Sequence, residues 1–458
     1  MLASAAIFVA ALSPALAAAA EAETMSWLDN GQIRLGVNLS IGGAITYLAE
    51  SKTKVNMINS FDWGRQVQMS FYSGPVPFVP PGAQVRENWK GLGWNPIQSG
   101  DCFGHRSKVV EHSNDGNAIH VKCVPMQWPL NNVPGECTFE SWIKLDGRAV
   151  KVTSRLNNAR SDKTQYSARA QELPAVYTNG PWYKLVTYLG DKPFAGAPTT
   201  TVVDLDDGKG WPWRHYYCPE NWSALVDKTG RGVGVYTPEC CRMSGGFAGK
   251  KGAGGPKDGP TGYIAPNQHE ILDHNIVYTY EYSLIVGTVA EIRDYVYKHA
   301  PKPAPPSWRF RDDRRHWSLA RTTDAGWPVR GELRVNLSPD GGSALSSPLT
   351  FWQADKAPRL YVRAAMPPAV KSISVSFQPL APQDVQDWPN WGNGPKPPPR
   401  TAVAPVNVPV TGDDRMRTIE IDLAADKQYR GPMTQLRLHL PAGKGVVRVE
   451  YVGFARPG

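Results

Sequence analysis

Three carboxylates and two histidines, set among indoles and phenols, are the residues of this chain best suited to chemistry. Glu172 opens the run Glu172-Leu-Pro-Ala-Val-Tyr177, whose apolar members would partly bury its carboxyl and raise its pKa. Asp101 lies in Trp94-Asn95-Pro-Ile-Gln98-Ser-Gly-Asp101-Cys-Phe-Gly-His105, and Glu220 lies in Trp211-Pro-Trp213-Arg-His215-Tyr-Tyr-Cys-Pro-Glu220-Asn221-Trp222. Two carboxyl groups flanking a glycosidic bond, one protonated and one ionised, can hydrolyse it. Glu172, Asp101 and Glu220 are the candidates for that pair. A second set, His105, His215, Tyr216, Tyr217 and Arg65, could instead run a β-elimination. There a base removes the C5 proton of a uronic acid while a cation neutralises its carboxylate.

The surroundings of these groups point to a sugar. The C–H faces of a pyranose stack on flat aromatic rings, and its hydroxyls need acceptors and donors of the Asp, Glu, Asn, Gln and Arg type. Four stretches mix these types: Asn59–Gln68, Trp94–His105, Glu172–Tyr183 and Trp211–Trp222. The expected substrate contacts are Arg65, Gln68, Trp94, Trp182, Tyr183, Trp213 and Trp222, converging on one groove. Hydrolysis of a poly- or oligosaccharide is the first reading, elimination from a uronic-acid polymer the alternative, and glycan binding without chemistry a third.

Positioning such groups calls for a sheet scaffold. Among 458 residues there are 43 Gly and 41 Pro, too many breakers for a helical bundle or coiled coil, alongside 16 Trp and 18 Tyr. Alternating patterns over 32–39, 118–124, 149–156, 232–236 and 277–286 predict antiparallel strands in a large domain spanning 25–300. Thr288-Val-Ala-Glu291 predicts a capped helix that Pro301 ends. Residues 301–309 read as a Pro-rich linker, and a chain ending at residue 300 is expected to fold alone. Residues 310–458 alternate again over 359–364, 371–377, 417–423, 434–440 and 446–452, the signature of a smaller jelly-roll-like β-sandwich. The fold class is therefore all-β. A second Pro cluster at 395–399 reads as an internal loop.

The net charge of +9 favours an anionic partner, yet no nucleic-acid-binding motif is present. Residues 1–17 read as a signal peptide, which implies a secreted or periplasmic protein with no membrane span. Six cysteines between Cys102 and Cys241 fit an oxidising compartment and are expected to form disulfides. No metal or other cofactor is expected; the acidic stretch Asp204-Leu-Asp206-Asp207-Gly does not match a calcium loop.

The turn Gly42-Gly43-Ala-Ile, followed by Asn59…Asp62-Trp-Gly-Arg65…Gln68, resembles the start of the galactose-mutarotase-like β-supersandwich. The resemblance covers roughly residues 25–300. It implies a sugar-handling domain of the kind found in sugar epimerases, polysaccharide lyases and glycoside hydrolases. The last 150 residues resemble the accessory carbohydrate-binding β-sandwiches of carbohydrate-active enzymes, through Leu349–Ala357 and Arg417–Leu423.

Overall fold

Alternation becomes strand wherever one face can be buried. In Ala118–Val124 the residues Ile119, Val121 and Cys123 turn inward, while His120 and Lys122 stay half-exposed. A computed structural model describes residues 23–202, 213–381 and 403–457. The signal peptide, the acidic stretch at 204–208, Trp211 and the Pro cluster at 395–399 lie outside the described residues.

The chain is all-β, as expected, with four antiparallel sheets among the described residues. The first is ten-stranded. Its main path runs Met25–Asp29, Ile33–Asn38, Ala44–Glu50, Val67–Ser70, Arg169–Asn179, Thr261–Glu270, Arg242–Ala248, Arg214–Tyr217. The second is nine-stranded and has Val277–Thr288, Ala149–Asn158 and Cys137–Asp146 at its centre. Their facing sides share one core, in which Leu35, Met69, Val176 and Ile264 belong to one sheet and Ile119, Phe139, Val152 and Leu284 to the other. Burying such a side chain yields about 1.5–3 kcal/mol, so this shared face is what specifies the register.

The Gly42-Gly43 turn has a steric basis. Both residues have positive φ, and a Cβ on Gly42 would fall 1.9 Å from the Gln98 carbonyl oxygen. The helix Val289–His299 starts with the reciprocal cap its sequence promised. The Thr288 side chain accepts from the Glu291 amide at 3.2 Å, and the Glu291 carboxylate accepts from the Thr288 amide at 2.7 Å. Ile292 and Val296 press this helix onto Trp222 and Tyr236 of the nine-stranded sheet.

Strand structure resumes at Ser307–Arg309, and residues 307–453 build the five- and six-stranded sheets around a second core. That core reaches back across the linker: Ile271 is buried in it. Arg314 pairs with Asp273 and Asp324 at 2.6 Å each, and all three side chains are buried. His316 bonds Glu270 at 2.5 Å, and the Tyr217 hydroxyl donates to the Thr350 carbonyl at 2.6 Å. The two halves thus share buried charge and apolar surface across the linker.

The disulfide framework is absent, because all six cysteines are free thiols. Cys123 sits opposite Phe139, which leaves Cys137 diagonal to it across the pair of strands. The Cys218, Cys240 and Cys241 thiols each bond a different oxygen: the Cys241 carbonyl, the Arg242 carbonyl and the Asn221 side chain.

Candidate active site

Register brings the polar face together. Glu172 pairs with Ser70 on one side and Asn267 on the other, and His215 pairs with Ser244, which pairs with Ala265. The alternate residues Leu173, Val176, Ile264, Met243 and Tyr216 all point into the core. Glu172, Tyr177, Tyr263, Asn267, Ser244, His215 and Trp213 therefore share the outer face of the ten-stranded sheet. The strand carrying Glu172 is irregular between Glu172 and Val176, where Pro174 cannot donate to a ladder.

Glu172 is held by phenols. The Tyr72 hydroxyl donates to its Oε2 at 2.9 Å, the Tyr263 hydroxyl donates to its Oε1, and Ser70 donates to Tyr72 at 3.0 Å. Burial pushes the Glu172 carboxyl above the ordinary carboxylate range, and the phenol donors only partly oppose that shift. Burial, and then the Glu172 charge, hold Tyr72, Tyr177 and Tyr263 well above the usual phenol value, so all three keep their protons. Tyr263 stacks obliquely with Tyr177 and with Trp213, each at 4.9 Å between ring centroids. Arg65 borders this cluster, with its guanidinium on the Gly259 carbonyl at 2.7 Å and on Asp62 at 3.3 Å.

Along the same face His215 bonds Ser244 at 2.5 Å, and Ser244 also donates to Asn267. Burial, reinforced by the Arg242 charge, lowers His215 to about 4, so its ring is neutral at physiological pH. His269 is likewise lowered to about 4 by burial and then Arg242.

The other expected site residues lie elsewhere. Asp101 is spent on its own loop: its carboxylate accepts from the amides of Phe103, His105 and Asn132 and bonds the His105 ring at 2.9 Å. That contact also ties down His105. Glu220 is fully buried beneath the helix, where it is bonded by Arg293, the Trp222 indole, the Tyr297 hydroxyl and the Phe194 amide. Gln68 is consumed by Ser99 and the Trp63 carbonyl. Trp94 at 1% exposure and Trp182 at 7% belong to the main core, and Trp222 at 0% belongs to the core under the helix. Tyr183 packs edge-on against buried Phe247. Tyr216 is a core residue bonded to Ser223, and Tyr217 docks the second domain. The four expected indoles therefore do not converge: only Trp213 reaches the Glu172 face, with 7% of its surface exposed.

Tyr72, Tyr263, Ser244, Asn267 and Arg242 were missed by sequence reasoning. One signal was present: Tyr263, Ala265, Asn267 and His269 recur at every second position, a polar strand face in an otherwise buried element. On the outer face of the nine-stranded sheet, Glu111, His120 and Glu140 bring three potential metal ligands within 4.8 Å of one another. Lys122 already neutralises Glu111 at 2.7 Å, and Arg155 stands 3.7 Å from Glu140.

No family model matches this chain, and no curated protein does. Among solved structures it is similar to a galactose mutarotase-like protein from Lactobacillus casei, with 10% identity and a TM-score of 0.35, covering 57% of this chain and 100% of that one. A galactose mutarotase-like protein from Clostridium acetobutylicum is similar at 10% identity and a TM-score of 0.33, over 58% of this chain and 96% of that one. A 4-alpha-glucanotransferase from Thermococcus litoralis is similar at 11% identity and a TM-score of 0.31, over 59% of this chain and 38% of its own.

Proposed function

We propose that this protein is a carbohydrate-active enzyme in which Glu172 exchanges a proton with a saccharide bound on the outer face of the ten-stranded sheet. The observation that carries this reading is the Glu172 carboxyl itself. It is raised by burial, bridged by two protonated phenols and flanked by the Tyr177–Tyr263–Trp213 cluster. A carboxyl whose pKa is raised is a stronger base and keeps a transferable proton to higher pH than a solvated carboxylate. Tyr72 and Tyr263 fix its orientation, and neutral His215 adds a second proton-handling group on the same face.

This arrangement favours proton transfer through one carboxyl over hydrolysis by the pair first expected, because neither Asp101 nor Glu220 shares the face. Elimination or epimerisation at a sugar carbon needs one base and a stabilised oxyanion, and the phenols and Asn267 can supply the donors. The test is incubation with neutral and uronic polysaccharides, following new reducing ends, ultraviolet absorbance of unsaturated uronate and anomeric exchange. Absorbance or exchange that disappears in Glu172→Gln supports the reading. New reducing ends without absorbance, retained in Glu172→Gln, would overturn it. Export of the mature chain to the periplasm or medium is part of the same proposal, tested by locating the processed protein in cell fractions.

A further inference from the structure

Where the outer face of the ten-stranded sheet meets the second domain lies a cavity of about 300 Å3. Arg242, Asn267 and His269 wall it from the first domain; Ser347, Gln435 and Arg437 wall it from the second. Asn267 is the cross-strand partner of Glu172, so the cavity continues the candidate active site. Among the described residues no Asp or Glu lines it. The neighbouring cavity of about 380 Å3, beyond Gln268 and His316, differs in carrying Glu239 and Glu281 on its walls.

The charges behind the walls sharpen the contrast. His316 lines both cavities and is cationic, because Glu270 and Glu239 stand 2.5 and 3.2 Å from its two ring nitrogens and hold its proton. Those two carboxylates offset its charge. Arg437 has no such offset. Its Nε donates to the Ser346 hydroxyl at 2.9 Å, and among the described residues no carboxylate lies within ion-pair distance of its guanidinium. A cationic fork with amide and hydroxyl donors around it, in a recess lined among the described residues by no carboxylate, selects a planar or tetrahedral oxyanion. We infer that this interdomain cavity receives an anionic group of the saccharide, a carboxylate or a sulfate ester, and that Arg437 of the second domain is its charged contact. The second domain then completes the site. The inference rests on the proposed function for the identity of the ligand as a saccharide.

Equilibrium binding of glucuronate, glucose 6-sulfate and glucose to the full chain, at low and high ionic strength, tests it. The expected result is that at least one of the two anions binds about tenfold or more tighter than glucose, with an advantage that shrinks as salt rises. Whichever anion is preferred identifies the group. Arg437→Gln should erase the preference while glucose affinity and melting temperature hold, and Arg437→Lys should retain part of it. Equal affinity for all three sugars, or a preference intact in Arg437→Gln, would overturn the inference. Glu172→Gln run alongside separates the two readings. Lost turnover without anion preference sinks only the cavity assignment. Anion preference with turnover intact in Glu172→Gln sinks only the proposed chemistry.

Discussion

The hydroxyl of Tyr72 donates to the Glu172 carboxylate at 2.9 Å, although the two residues are separated by 100 positions in sequence. Tyr263 holds the other oxygen from 91 positions away on the opposite neighbouring strand. One carboxyl is thus gripped from both sides of its own strand by phenols that stay protonated.

Glu172→Gln should lower turnover by at least about a hundredfold, the usual scale for removing a general acid–base group. The amide still accepts from a tyrosine, so saccharide affinity should change little. Steady-state kinetics and binding, measured together, check both statements.

The same substitution should also change stability, with a definite sign. The folded-state pKa of Glu172 is raised, so its contribution to stability is present below the ordinary carboxylate range and lost as pH rises through the folded pKa. Glutamine has no proton to lose. Denaturant midpoints should show the variant gaining on wild type as pH rises toward neutral; a gap that stays constant with pH would rule this out.

His215 and His269 work in the opposite direction. Both are lowered from 6.5 to about 4, so the folded state resists protonating them. The stability they contribute is complete above pH 6.5 and is lost as pH falls toward 4. A His215→Asn, His269→Asn double variant should flatten the fall in melting temperature over that window.

Glu220→Gln should cost about 3 kcal/mol or more, because it leaves the half-enclosed Arg293 without its carboxylate partner. Turnover per folded molecule should match wild type. A catalytic loss with unchanged stability would return Glu220 to the reaction.

A chain ending at residue 300 should be markedly less stable than the full chain. It loses Arg314 and His316, leaving Asp273 and Glu270 without their cations and Ile271 without its core. Calorimetry of the full chain should show one cooperative transition; two separate transitions, with the first-half peak unchanged in the shortened chain, would contradict this.

Sequence alone determined the all-β class, strands at 118–124, 149–156 and 446–452, and the capped helix. Burial of one strand face and pairing of a helix end are local events that leave a local period or spacing. It also singled out Glu172, since an apolar run beside a carboxyl is local too. What only the tertiary structure decided was which aromatic residues lie beside Glu172. An indole gains similar free energy wherever it is buried, so Trp94, Trp182 and Trp222 read the same as Trp213 in sequence; the first three lie in the cores between the sheets or under the helix, while Trp213, as buried as Trp182, lies in a small cluster with Tyr263. The partners of Glu172, and the meeting of Arg437 with Arg242 across two domains, come from sheet order and domain docking. Those are long-range pairings, and no short stretch of chain carries a record of them.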